Sequence, residues 1–104
     1  MIMLRKCLRN FYWMIKVKYS TKFQKDVKRL KKRKVELSLL IKVVEMLQND
    51  GTLPARYKTH QLAGEYSDCM ECHIAPDWIL IYKINYENNS LYLSRTGTHS
   101  DLFR

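Results

Sequence analysis

Seven consecutive residues, Trp78-Ile79-Leu80-Ile81-Tyr82-Lys83-Ile84, are apolar at odd and even positions alike, with Lys83 the one exception. A strand sends alternate side chains to opposite faces, so this run needs cover on both sides and predicts the central strand of a sheet. Asn88-Asn89-Ser90 turns the chain after it, and Leu91 to Thr96 predicts the returning strand of a β-hairpin. The hairpin would bring residues just before Trp78 close to residues just after Thr96.

The rest of the chain supplies cover for that hairpin. Ile15, Val17 and Tyr19 alternate with Lys16 and Lys18, which predicts a first strand with a basic outer face. Ser20 or Thr21 can cap the next segment, where Phe23, Val27 and Leu30 recur at helical spacing before the basic run Lys28 to Lys34. Leu37, Leu40, Val44 and Leu47, widened by Leu39, Val43 and Met46, predict a second helix that Asn49-Asp50-Gly51 stops. The two helices are expected to form an antiparallel pair. Leu53 to Leu62 reads as loop, Gly64 to Asp68 as a turn or short strand, and Cys69 to Ala75 as a strand broken by Pro76. A strand, two helices and a run of strands make an α+β domain, with two N-terminal helices on one face of a twisted antiparallel sheet and the other face free.

At 104 residues the chain is long enough for one domain. Residues 14–104 are expected to form it, with residues 1–13 as an extension, either disordered or a basic arm, because Met14-Ile15-Lys16-Val17 reads like a natural beginning. Nineteen Lys and Arg against ten Asp and Glu give a formal charge of +9, which favours a polyanionic partner. No run of about 18 apolar residues offers a membrane span, and three cysteines do not suit a disulfide framework, so the expected location is the cytoplasm.

Cys69-Met70-Glu71-Cys72-His73 matches the C-x-x-C-H pattern of covalent haem attachment, and the thiols with a histidine could hold zinc. Without a second close ligand pair, the favoured reading is two half-buried side chains in a strand, with no metal and no cofactor. The histidines carry more chemistry. His73 lies four residues before Asp77, and His99 four after Arg95, at the two ends that the hairpin joins. An imidazole base, an imidazolium acid and a guanidinium suffice to cleave an RNA phosphodiester through its 2′-hydroxyl. One conflict is visible. Strict alternation puts Arg95 on the face of Leu91 and Leu93, which would bury it unless the strand twists or ends near Gly97. Trp78 is open to two readings, core or base-stacking.

His73-Ile74-Ala75-Pro76-Asp77-Trp78-Ile79-Leu80-Ile81-Tyr82-Lys83, followed by Arg95-Thr96-Gly97-Thr98-His99-Ser100-Asp101-Leu102-Phe103, closely resembles the YafQ branch of the RelE-type bacterial toxins. Tyr57 to Gly64, Lys18 to Ser20 and Phe23 to Lys28 resemble the same family, so the likeness runs from Met14 to Phe103. The resemblance implies a RelE-like, microbial-RNase-like fold. It also implies a type II toxin that enters the ribosomal A site and cuts mRNA there without a metal, held in check by a cognate antitoxin. By that likeness the catalytic residues are His60, His73, Asp77, Arg95 and His99, with His60, His73 and Asp77 on the base side, Arg95 on the phosphate and His99 as acid. Trp78 and Phe103 would shape the nucleotide pocket. Lys22, Lys25, Lys28, Arg29, Lys31 and Lys32 would grip ribosomal RNA. The antitoxin is expected to be acidic, and DNA to be met only as operator DNA through the antitoxin complex. Cys69-Met70 stands where relatives tend to carry an aromatic-arginine pair, so contacts from that position do not carry over. The alternative is a basic module that binds ribosomal RNA or an antitoxin without cutting.

Overall fold

The computed structural model describes residues 15–103. The expected extension over residues 1–13 lies outside them. The elements run β1 (Lys16–Tyr19), α1 (Thr21–Lys32), α2 (Ser38–Asp50), β2 (His60–Gln61), β3 (Met70–Ala75), β4 (Trp78–Asn85), β5 (Ser90–Gly97) and a short α3 (His99–Leu102). Single 3₁₀ turns at Ala55–Tyr57 and Gly64–Tyr66 break the loop between α2 and β3. The architecture is the expected α+β, and the sheet order is β1-β5-β4-β3-β2. β1 departs from the antiparallel pattern by pairing parallel to β5, Lys16 opposite Ser90 through Tyr19 opposite Leu93.

Local chemistry sets the helix ends. Ser20 Oγ accepts the Phe23 N–H at 2.9 Å to cap α1, and Gly51 takes φ 72° to close α2 with its N–H on the Leu47 carbonyl. The buried stripe of α2 is Leu40, Val43 and Leu47, while Leu39 is 41% exposed. These residues pack with Phe23 and Leu30 against Cys72, Trp78, Leu80, Tyr82, Leu91 and Leu93 on one face of the sheet.

The opposite face is not free, as the sequence had suggested. Ile79 and Ile81 point into it and are covered by Cys69 and Leu102, with Leu62 and Tyr66 against them. β4 therefore has the two-sided burial that its sequence demanded. The odd spacing of Cys69 and Cys72 sends them into these two separate clusters. The Cys-x-x-Cys thus assembles no haem or zinc site, and burial pushes the Cys72 thiol up to about 12, which keeps it protonated.

Two irregularities aim the functional face. Tyr82 pairs with Leu93 and Ile81 with Arg95, so Ser94 is an extra residue in β5. That bulge inverts the alternation, and Arg95 escapes the face of Leu91 and Leu93 without the strand ending. A second shift lies between His73 and Ala75, where Pro76 follows.

Candidate active site

Across the sheet, His60 pairs with Glu71, Glu71 with Ile81 and Ile81 with Arg95, so one row of the second face reads His60, Glu71, Ile81, Arg95. The next row reads His73, Ile79, Gly97. His99 enters from α3, directly after β5. All three histidines converge on one carboxylate. Glu71 Oε1 lies 3.4 Å from Nε2 of His60, 3.4 Å from Nε2 of His73 and 4.0 Å from Nε2 of His99. Glu71 is only 4% exposed, whereas the imidazoles stand at the surface or partly so.

Each ring is held on its other side or by a neighbour. A carbonyl can only accept, so the 3.0 Å contact to the Lys58 carbonyl makes His60 Nδ1 the protonated nitrogen and leaves Nε2 facing the cluster. His99 Nδ1 lies 3.1 Å from Asp77 Oδ1, which turns its Nε2 inward. The hydrogen bond to His99 is also the main reason that the Asp77 carboxyl sits below its ordinary range. Ring centroids follow one another from His60 to His73 at 6.2 Å, to His99 at 5.9 Å, to Phe103 at 6.1 Å and to Tyr66 at 6.2 Å. Phe103 is 45% exposed at the rim, free to offer a face to a planar ligand. Beyond His73 a cleft of about 590 Å³ continues past Arg56, Lys58 and Pro76.

Arg95 reaches the same face but is tied backwards. Its Nε and Nη2 donate to Asp26 Oδ2 and Oδ1 at 2.7 and 3.0 Å, and its side chain is 14% exposed. Asp26 also accepts the Thr96 N–H at 3.1 Å, on the edge of β5 that β1 leaves open after Leu93. That fork outweighs burial, which acts the other way, and holds the guanidinium charged far above its usual range.

Several expectations need correction. Asp77 sits on His99, not with His60 and His73, because the hairpin puts it at the start of α3. Trp78 is not a pocket wall: it is 6% exposed in the helix-side core, its indole N–H donating to Thr96 Oγ1 at 2.9 Å. Arg29 is engaged by Asp26 at 3.4 Å and Asp101 at 3.8 Å, whereas Lys22, Lys25, Lys28, Lys31 and Lys32 are exposed on α1. Glu71, Asp26 and Tyr66 were missed. Glu71 could have been found two residues before His73 on one strand face, and Asp26 three after Phe23 on one helix face.

The deciding comparison is with protein families: residues 15–104 match the YafQ toxin, described as the bacterial toxin of a type II toxin–antitoxin system. The chain belongs to the YafQ family. An mRNA interferase toxin YafQ of Escherichia coli K12 is 41% identical over 88 residues, 84% of this chain and 94% of that one. YafQ in the E. coli DinJ-YafQ toxin-antitoxin complex superimposes with a TM-score of 0.79 at 39% identity, over 88% of this chain and 99% of that one. A metal-bound toxin from Helicobacter pylori gives 0.79 at 44% identity, over 86% of this chain and all of that one (100%). In this YafQ-family fold, three histidines stand around a buried carboxylate on the second face of the sheet. Among the described residues, His60, Glu71 and His73 place their ligand atoms within 4.8 Å of one another, close enough for a metal ion.

Proposed function

We propose that this YafQ-family chain is an endoribonuclease that cuts mRNA in the ribosomal A site, in the cytoplasm, and that a cognate acidic antitoxin neutralises it. The observation that carries the reading is the convergence of His60, His73 and His99 on Glu71, with Asp77 behind His99. Two-step proton traffic needs a neutral imidazole and a charged one at the same phosphate. Asp77 suits His99 to the charged role, since a carboxylate on Nδ1 stabilises imidazolium while Nε2–H faces the leaving 5′-oxygen. His60, with Nδ1 committed to Lys58, has Nε2 available to take the 2′-hydroxyl proton, and His73 lies between them. Glu71 offsets the repulsion between positive charges on the imidazoles around it. Arg95, held by Asp26, supplies fixed positive charge along the same row, and Phe103 stacks on the base beside the cut. The exposed lysines of α1 hold ribosomal RNA phosphates in a salt-sensitive manner.

Primer extension on an mRNA translated with and without the protein tests this. Expected are in-frame cuts that need the ribosome and disappear in His99→Ala. Growth arrest that persists unchanged in both His99→Ala and Arg95→Ala would favour a module that binds without cutting.

A second reading has one observation behind it. The His60, Glu71, His73 cluster offers two imidazoles and a carboxylate, a donor set that suits zinc or copper. An ion there would occupy the lone pairs that proton transfer needs, so it would silence the nuclease. Cleavage that survives EDTA and falls on adding zinc fits this; cleavage abolished by EDTA would overturn the metal-free mechanism.

A further inference from the structure

α1 carries Asp26 and Arg29, and Arg33 caps its C-terminal end, at i, i+3 and i+7, and each is paired beyond the helix or within its stripe. Arg95 forks onto Asp26 at 2.7 and 3.0 Å. Arg29 lies 3.4 Å from Asp26 and 3.8 Å from Asp101. Arg33 forks onto Asp101 at 2.8 and 3.0 Å. The result is an alternating ladder, Arg95, Asp26, Arg29, Asp101, Arg33, running from β5 along α1 to α3. We propose that this stripe of α1 is a positioning element that holds Arg95 and His99 in register, with Arg33 acting on His99 through Asp101. It rests on the nuclease reading above and adds Arg33, Arg29 and Asp101 to the apparatus.

α3 is held at few points. A four-residue helix has no stability of its own. It is pinned by Leu102, which is 8% exposed, by Asp101, whose side chain is also 8% exposed, and at its first residue by Asp77, exposed, at 3.1 Å from His99 Nδ1. Asp101 closes a capping box, accepting the Thr98 N–H at 3.0 Å while its own N–H donates to Thr98 Oγ1 at 3.1 Å. Gly97, at φ 153°, lets the strand pass close beneath: a Cβ there would lie 3.0 Å from Asp101 Oδ2. Exposed ion pairs usually contribute little, but a guanidinium fork on a buried carboxylate is directional. His99 stands two residues from that fork.

The test uses the full chain with Arg33→Ala, Asp101→Asn, Arg33→Lys and the swap Arg33→Asp with Asp101→Arg. Ribosome-programmed mRNA cleavage gives kcat and KM, and NMR gives the His99–Phe103 ring contact in the folded protein. Arg33→Ala lowers net charge and Asp101→Asn raises it, yet both are expected to reduce kcat about tenfold, with KM changed less than about twofold. Both weaken the ring contact, while Arg33→Lys restores part of each, and the swap, which rebuilds the ion pair without the capping box, does not. Wild-type kcat or an unaltered ring contact in both single variants overturns the proposal. So does a loss confined to KM in Arg33→Ala, which would make Arg33 an RNA contact. If the wild-type protein cuts nothing, the nuclease reading fails, and the ring contact still decides whether the stripe positions α3.

Discussion

Two regions of this small domain each bury one carboxylate, and they use it in opposite ways. At the α1–β5 junction Asp26, with a side chain 1% exposed, accepts from Arg95 twice and from the Thr96 N–H at 2.7–3.1 Å. On β3 Glu71, with a side chain 6% exposed, faces three imidazole nitrogens at 3.4–4.0 Å. The first is short, directional and saturated, which is how a charge must be treated if it is to be buried for structure. The second is looser and surrounded by imidazoles, whose ring nitrogens can either give or take a proton, which suits proton transfer. On the proposed reading the same residue class is a fastener in one place and a working part in the other.

The comparison breaks most sharply at the histidines. His99→Ala should lower cleavage on the ribosome about 10²–10⁴-fold, with the melting temperature little changed, because it removes a proton donor at the rim. Asp26→Ala should show first in stability. It strands Arg95 and the Thr96 N–H, and chemical denaturation should show a loss of about 3 kcal/mol. Glu71→Gln sharpens the contrast: about tenfold slower cleavage is expected, with stability unchanged or raised in the same denaturation assay. A Glu71→Gln variant as destabilised as Asp26→Ala would make both carboxylates structural. Trp78→Phe should cost only about 1 kcal/mol through the lost bond to Thr96, and should leave the KM for mRNA unaltered if the indole is core.

A pH scan adds a finer test. The Arg33 fork is the main reason that the Asp101 carboxyl stays far below the usual carboxylate range. A group depressed in the folded state stabilises fully above its unfolded value, about 4, and loses that contribution as pH falls through the folded value. Acid unfolding followed by circular dichroism should therefore show a shallower stability loss below about pH 4 in Asp101→Asn than in the wild type.

Most of the framework could be read from residues alone. The doubly apolar run of β4 required a central strand, Ser20 and Gly51 marked helix ends, and the hairpin predicted that residues 73–77 and residues 95–99 would come together, although it did not pair Asp77 with His99. Those features depend on neighbours within a few residues or on one turn. Three matters depended on the whole fold: the side of the sheet that Arg95 occupies, the partner of each carboxylate and the burial of Trp78. One extra residue at Ser94 reverses a face, and nothing local in Leu91 to Thr96 announces it. Glu71 gathers its imidazoles from β2, β3 and α3, and Asp26 finds Arg95 69 residues away. Periodicity acts over a single element, whereas the pairing of buried charges is settled only when separate elements close on one another and exclude water.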